Sequence, residues 1–387
     1  MVSDRLPARC GRSESTGSAG DETLPPTRRC LRSDPKVFTP FSRSQKCYSY
    51  SMWSMRDRAR KDGLLEKDLF DLVSIGETMV AFVSHGDSVT YRAVPAGAES
   101  NVAVGMALLG CKTRWVSRLG DDPLARFVEE SIAEAGVDVA TVRDDRRPTG
   151  VMTKHVTGSQ KLAQYYRSQS AARELSVRDL RRVGQTRWIH VTGITAALSR
   201  SAAALVEAIV ERGAGFDGRV SFDVNHRPTL WHGTANAARV LAGVAHRADV
   251  VFVGDDEAET LFGTSETGAL AELLLRSDDQ ELVLKRGAGH ASVVTRDGEV
   301  AEPALDADLI DATGAGDAFA AGYLAASCFG WPIRARLRLG HLMGSRVIGV
   351  VDDMPAAFTS GELDALSPAG LASLWADAPI GGRDTRT

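Results

Sequence analysis

No stretch of this 387-residue chain reaches the roughly 18 consecutive apolar residues that span a bilayer. The nearest approach, Gly314 to Trp331, carries Asp317 near its start and runs into Pro332, so no membrane partner is expected. Cysteine is scarce. Five occur, at 10, 30, 47, 111 and 328, with no CxxC or other metal-binding spacing, and only the last two fall outside the N-terminal region. That usage fits a reducing, cytoplasmic setting better than a disulfide framework. Excess positive charge is missing as well: the formal net charge is −4, which gives no electrostatic reason to expect nucleic acid. The chain also lacks a GxxxxGK[ST] P-loop, an HExxH zinc motif and a GxSxG nucleophile elbow. A dinucleotide-binding GxGxxG straight after an early strand is absent too. Gly287-Ala288-Gly289 and Gly314-Ala315-Gly316 come late and lack the third glycine.

What remains is a soluble chain of ordinary composition. Residues 1–68 begin with an Arg/Ser/Pro/Gly-rich stretch to about residue 63, whose composition buries too little apolar surface to offset ordering entropy. They are expected to form a disordered N-terminal extension. Asp4, Glu14, Asp21, Glu22 and Asp34 argue against a transit peptide, and Met52 and Met55 are alternative starts. One folded unit is expected over 69–375, with a flexible tail at 376–387.

Within that unit, short apolar runs alternate with helix-patterned stretches. Asp71–Glu77, Arg114–Ser117, Val137–Val142, Trp188–Gly193, Arg219–Asp223, Val250–Val253 and Leu282–Lys285 read as strands, and Val102–Leu109 and Leu124–Ala135 as helices. This alternation predicts an α/β fold, a doubly wound, mostly parallel sheet, whose ligands bind beyond the carboxyl ends of the strands. Two hairpins, about 78–96 around Gly86-Asp87 and 148–168 around Gly158-Ser159, are expected to form a small separate sheet.

The chemistry centres on Asp311-Ala312-Thr313-Gly314-Ala315-Gly316-Asp317, which opens a helix-like apolar segment. Small residues there let backbone N–H groups approach an anion, and the helix N-terminus adds partial positive charge. Asp317 sits where those donors converge. A carboxylate beside a phosphate needs a task, and taking the proton of an attacking hydroxyl is one.

Other candidates follow strand ends. Arg227, in Asp223-Val224-Asn225-His226-Arg227-Pro228, could clamp a carboxylate or phosphate, or lie in water. Gly287-Ala288-Gly289 could border a nucleotide or be a β-turn. Glu257 could help hold a hydrated Mg²⁺, or favour its helix dipole only. Tyr165-Tyr166-Arg167 could be hairpin packing or a polar wall over a ligand.

Taken together, Asp311–Phe319, the strand ending in Gly76-Glu77, the Gly97–Asn101 segment and the two hairpins resemble the ribokinase-like, or PfkB-type, carbohydrate kinases over about residues 70 to 360. The resemblance implies a ribokinase-like fold whose small sheet is a lid, with ATP and Mg²⁺ as cofactors. Four stretches look most like the kinases of 2-keto-3-deoxygluconate within that family. They are Gly97–Asn101, Tyr165–Ala172, Asp223–Trp231 and Lys285–Ala288. By this resemblance Gly97, Ala98, Glu99, Ser100, Asn101, Tyr165, Tyr166, Arg167 and Arg227 would hold a sugar acid. Asn225, His226, Arg227, Lys285, Arg286, Gly287, Ala288, Gly289, His290, Gly314, Ala315, Gly316 and Asp317 would border ATP. Glu257 would serve the metal. Asp317 would be the base, and Gly314–Gly316 the anion hole.

The chain departs from the family pattern in four places: Ala96 where a second glycine is usual, Met152 where an aromatic is common, Gly254 in place of an asparagine, and Ala312 in place of a threonine. A fructokinase, another sugar kinase of the family, or a silent sugar or nucleotide binder are the alternatives. Lid strands could pair across a homo-oligomer.

Overall fold

A computed structural model of the protein describes residues 69–85, 90–157, 160–212, 215–307, 312–348 and 358–377. The expected extension over 1–68, both hairpin dipeptides, Asp311 and residues 378–387 lie outside them. Thirteen strands form two sheets among the described residues: β1 (Phe70–Ile75), β2 (Met79–His85), β3 (Arg92–Ala96), β4 (Thr113–Gly120), β5 (Asp138–Asp144), β6 (Val151–Thr157), β7 (Gln160–Tyr166), β8 (Thr186–Thr192), β9 (Arg219–Asp223), β10 (Val250–Gly254), β11 (Glu281–Arg286), β12 (His290–Thr295) and β13 (Gly298–Pro303).

The large sheet has nine strands in the order β13-β12-β11-β10-β9-β8-β1-β4-β5. From β11 to β5 all pairs are parallel; β12 and β13 extend the sheet antiparallel. All six residues of β1 are buried, as expected for a parallel strand covered on both faces. Leu72 joins the apolar layer that contains the helix Ala315–Cys328. Val73 and Ile75 join the layer that contains the helix Arg200–Val210. That division follows the two-residue period of a strand. The edge strand β13, Gly-Glu-Val-Ala-Glu-Pro, carries too little apolar alternation to be read from the sequence.

Strand β1 is the point where the chain reverses its direction of travel across the sheet. From β1 it moves outward through β4 to β5, then returns to β8 on the other side and moves out to β11. Crevices open at the carboxyl ends of strands around such a reversal.

The second sheet, order β3-β2-β6-β7, is built of two hairpins joined by parallel pairing of β2 with β6, where Ala81 faces Met152. Its buried side carries Met79, Ala81, Val83, Val94, Ala96 and Met152.

Two helices begin earlier than the apolar periodicity predicts. The first runs Ala98–Leu108 instead of Val102–Leu109. Its first intrahelical bond is Asn101 N–H to the Gly97 carbonyl, at 2.9 Å, so Ala98 to Asn101 form a helical first turn and not a loop. The second spans Pro123–Glu134, started by Asp122, whose side chain accepts from Ala125 N at 2.8 Å. At the other end of the chain the helix Pro368–Asp377 takes in Ala376 and Asp377, which were expected in the tail.

Candidate active site

The carboxyl ends of five adjacent strands deliver side chains into one cleft of about 1300 Å³. Glu77 follows β1, Ile194 follows β8, Asp223 ends β9 and Asn225 follows it, Gly254 ends β10 and Glu257 follows it, and Lys285 is the penultimate residue of β11. The lid supplies Met152, Tyr165 and Arg167, and the segment Ala312 to Asp317 supplies the opposite wall.

Asp317 lies in the first turn of the helix Ala315–Cys328. Gly314 caps that helix with φ 80°, left-handed backbone that costs a residue with Cβ about 1 kcal/mol or more. Two amides hold the carboxylate: Asn101 Nδ2 donates to Oδ2 at 2.9 Å and Asn225 Nδ2 to Oδ1 at 3.4 Å. One amide comes from the helix behind β3, the other from the loop after β9, so the carboxylate bridges the two halves of the sheet. Burial pushes the Asp317 carboxyl up to about 7; the Asn101 hydrogen bond opposes this and the Asp223 charge adds to it.

Lys285 Nζ meets Asp223 Oδ2 at 2.7 Å. Burial pulls the ammonium down, but the carboxylates of Asp223, Glu257 and Asp317 outweigh it and raise the lysine above its ordinary value. Lys285 is therefore a fixed cation. Glu257 closes a capping arrangement, accepting from Gly254 N at 3.0 Å and from His226 N at 2.7 Å. Burial, with the Asp223 charge, raises its pKa. Asn225 takes a positive φ of 36°, unusual for a residue with Cβ, and its buried Oδ1 has no donor among the described residues. Backbone strain and an unsatisfied acceptor at one residue mark a position held for a ligand.

The other end of the cleft is built differently. Arg167, as it leaves the lid, forms an ion pair with Glu77, and both side chains are almost fully buried. Arg227 is exposed at the cleft, its Nη1 donating to the His226 carbonyl at 3.2 Å. Gly97 packs so tightly that a Cβ there would lie 2.4 Å from the Glu77 carbonyl oxygen, which explains the glycine.

Of the residues singled out from sequence, Gly97, Ala98, Asn101, Tyr165, Arg167, Asn225, Arg227, Glu257, Lys285, Gly314, Gly316 and Asp317 line the cleft. The others do not. Glu99 is fully buried beneath it, its Oε1 accepting from Thr192 and Thr195 at 2.7 and 2.6 Å; burial raises its pKa. Ser100 is turned inward to the Gly97 carbonyl and Thr78. Tyr166 is 61% exposed, following Tyr165 on a strand where neighbours point oppositely. Gly287-Ala288-Gly289 is the tight turn of the β11–β12 hairpin, in which Arg286 pairs with His290. Arg286 donates to the Ser265 carbonyl at 2.7 Å, His226 contributes its backbone N–H to Glu257, and Ala315 sits in the helix turn behind Gly314.

Two cleft residues, Glu77 and Asp223, were read in the sequence only as strand-end markers. The signal was a carboxylate directly after a buried apolar run, where solvation alone gives it no reason to be. Lys154 of β6, behind the cleft lining, is buried and donates to Thr313 Oγ1 at 2.9 Å, linking the lid to the segment before Gly314.

A family model described as pfkB family carbohydrate kinase matches residues 70–356. The 2-dehydro-3-deoxygluconokinase of Bacillus subtilis is 31% identical over 307 residues, covering 76% of this chain and 94% of that protein. The fructokinase of Klebsiella pneumoniae is 29% identical over 307 residues, covering 78% of this chain and 94% of its own length. Among solved structures, aminoimidazole riboside kinase from Salmonella enterica, complexed with aminoimidazole riboside and an ATP analog, is similar with a TM-score of 0.65 at 26% identity. That match covers 78% of this chain and 99% of that one.

Proposed function

The chain belongs to the pfkB family of carbohydrate kinases, and from that premise we propose that it transfers the γ-phosphoryl group of ATP to the terminal hydroxyl of 2-keto-3-deoxygluconate. Asp317 takes the hydroxyl proton as the oxygen attacks the γ-phosphorus. The bond from that phosphorus to the β–γ bridging oxygen breaks, and ADP leaves with the bridging oxygen. The backbone N–H of Gly316, with Lys285 beside it, would meet the charge on the transferring group; the Ala315 N–H is already donated to the Ala312 carbonyl at 3.2 Å. The observation that carries this reading is Asp317 itself, at a helix N-terminus, held by amides from both halves of the sheet and with a pKa near 7 suited to a base.

Arg227 is the cation for the sugar acid's carboxylate, because Arg167 already faces Glu77. Arg167 instead fixes the lid exit beside the sugar, with Tyr165 and Asn101. Among the described residues no group of three or more His, Cys, Asp or Glu side chains could hold a metal ion. A Mg²⁺ ion therefore fits as a hydrated ion carried chiefly by the nucleotide phosphates, with Glu257 and Asp256 at the cleft as outer carboxylates. When bound it would neutralise phosphate charge.

A second reading, a kinase of neutral ketoses such as fructose, is supported by the same Arg167–Glu77 pair, which leaves the sugar end with less net positive charge. ADP release measured over 2-keto-3-deoxygluconate, fructose, ribose and adenosine separates the two. A kcat/KM highest for the sugar acid is expected. A preference for fructose would replace the first reading by the second.

A further inference from the structure

Four further residues line the cleft, Arg173, Arg200, Trp231 and Asn236, and the phosphoryl transfer gives this arginine-bearing arm of the lining no role. The fold brings the two arginines together. Ser199 and Ser201 donate from their hydroxyls to the Arg173 carbonyl at 2.6 and 3.4 Å, and Arg200 lies between them in the chain. Neither guanidinium has a carboxylate partner among the described residues. The acidic neighbour of Arg173, Glu174, is already paired with Arg147 at 2.6 Å. Arg173 is half-buried, so its charge is only partly compensated by water. Among the described residues the neighbouring Trp231 indole N–H is buried and has no acceptor, although buried indole N–H groups ordinarily find one. The 11-residue helix Arg200–Val210 also starts here, with its partial positive end at the arm.

Two guanidinium forks without a carboxylate partner among the described residues exceed what a single carboxylate satisfies, whereas the three terminal oxygens of a phosphate monoester can accept from both. We propose that this arm is a second anion site that takes a phosphate monoester, separate from both the sugar and the nucleotide. The site lets the protein bind a phosphorylated metabolite while its substrates are in place.

The test uses the full chain with ¹⁵N-labelled tryptophan, saturated with ADP and 2-keto-3-deoxygluconate and titrated with glycerol 2-phosphate. The Trp231 indole signal is assigned with W231F. A saturable shift of that signal is expected, with affinity about tenfold weaker in R173A/R200A. No saturable shift, or an unchanged affinity in the double variant, overturns the site. So does a response seen only when ADP and sugar are left out, because the anion is then occupying the substrate sites. If R173A/R200A fails to fold, the exposed single change R200A carries the comparison. The signal is read without turnover, so a protein inactive on the sugar acid still decides the matter.

Discussion

The two ends of the cleft carry charge in contrasting ways. At the phosphate end every group belongs to the main body: Lys285 pairs with Asp223, Glu257 is tied down by two backbone N–H groups, and Asp317 is held by two amides. At the sugar end the central pair, Arg167 with Glu77, joins the exit of the lid to the end of β1. The first arrangement fixes reacting groups to a rigid sheet. The second ties substrate recognition to a part of the molecule that has its own small core of six buried side chains. On the proposed reading, chemistry and selectivity are thus anchored in separate layers, and the selectivity layer could change without disturbing the base.

The sharpest break of this contrast is Asp317→Asn, which keeps the amide contacts within reach but removes the base. We expect kcat to fall by about 10²–10⁴-fold with ATP affinity retained; near wild-type turnover would remove Asp317 from the reaction. Next comes Glu77→Gln. It leaves Arg167 buried without its counter-charge, and urea denaturation should show a loss of about 3–5 kcal/mol, with little change in the pH profile set by Asp317. Arg227→Gln should then lower kcat/KM for the sugar acid by about 100-fold in steady-state assays while sparing any activity on fructose. A uniform loss on both substrates would move Arg227 from the sugar to the nucleotide.

The pH dependence is the subtlest probe. The Asp317 pKa is raised from 3.8 to about 7, so kcat/KM should climb as pH approaches 7 and level off above it. The same shift means the folded state holds a proton that the unfolded chain releases. The stability it contributes is complete below pH 3.8 and lost as pH rises to about 7. Melting temperatures of Asp317→Asn and the unaltered protein should therefore diverge in favour of the variant between pH 5 and 8, an increment that sugar-end variants lack.

Most of the architecture was legible because it rests on local signals. Buried parallel strands such as β1 and β10 are continuous apolar runs, and a helix N-terminus with two glycines and a carboxylate has few other uses. The hairpin turn at Gly287–Gly289 was ambiguous for a physical reason: the same small residues suit a tight turn and a phosphate loop. Glu99 misled because proximity in sequence to Asn101 says nothing about which side of a helix faces the cleft; the helix turns it under the strands to Thr192 and Thr195. The Arg167–Glu77 pair could not be read at all, since its partners lie far apart in the chain and meet only through the fold.

The pairing of β2 with β6 has one more consequence. Val80 and Val151 pair although two helices and strands β4 and β5 lie between them in the chain. Closing so long a loop is entropically slow, and contacts of this separation form late in folding. A growing or refolding chain would therefore complete its four-stranded sheet, and with it the wall beside the sugar, only after β1, β4 and β5 are in register. On the proposed reading, the last part of the molecule to take shape would be the part that chooses the substrate.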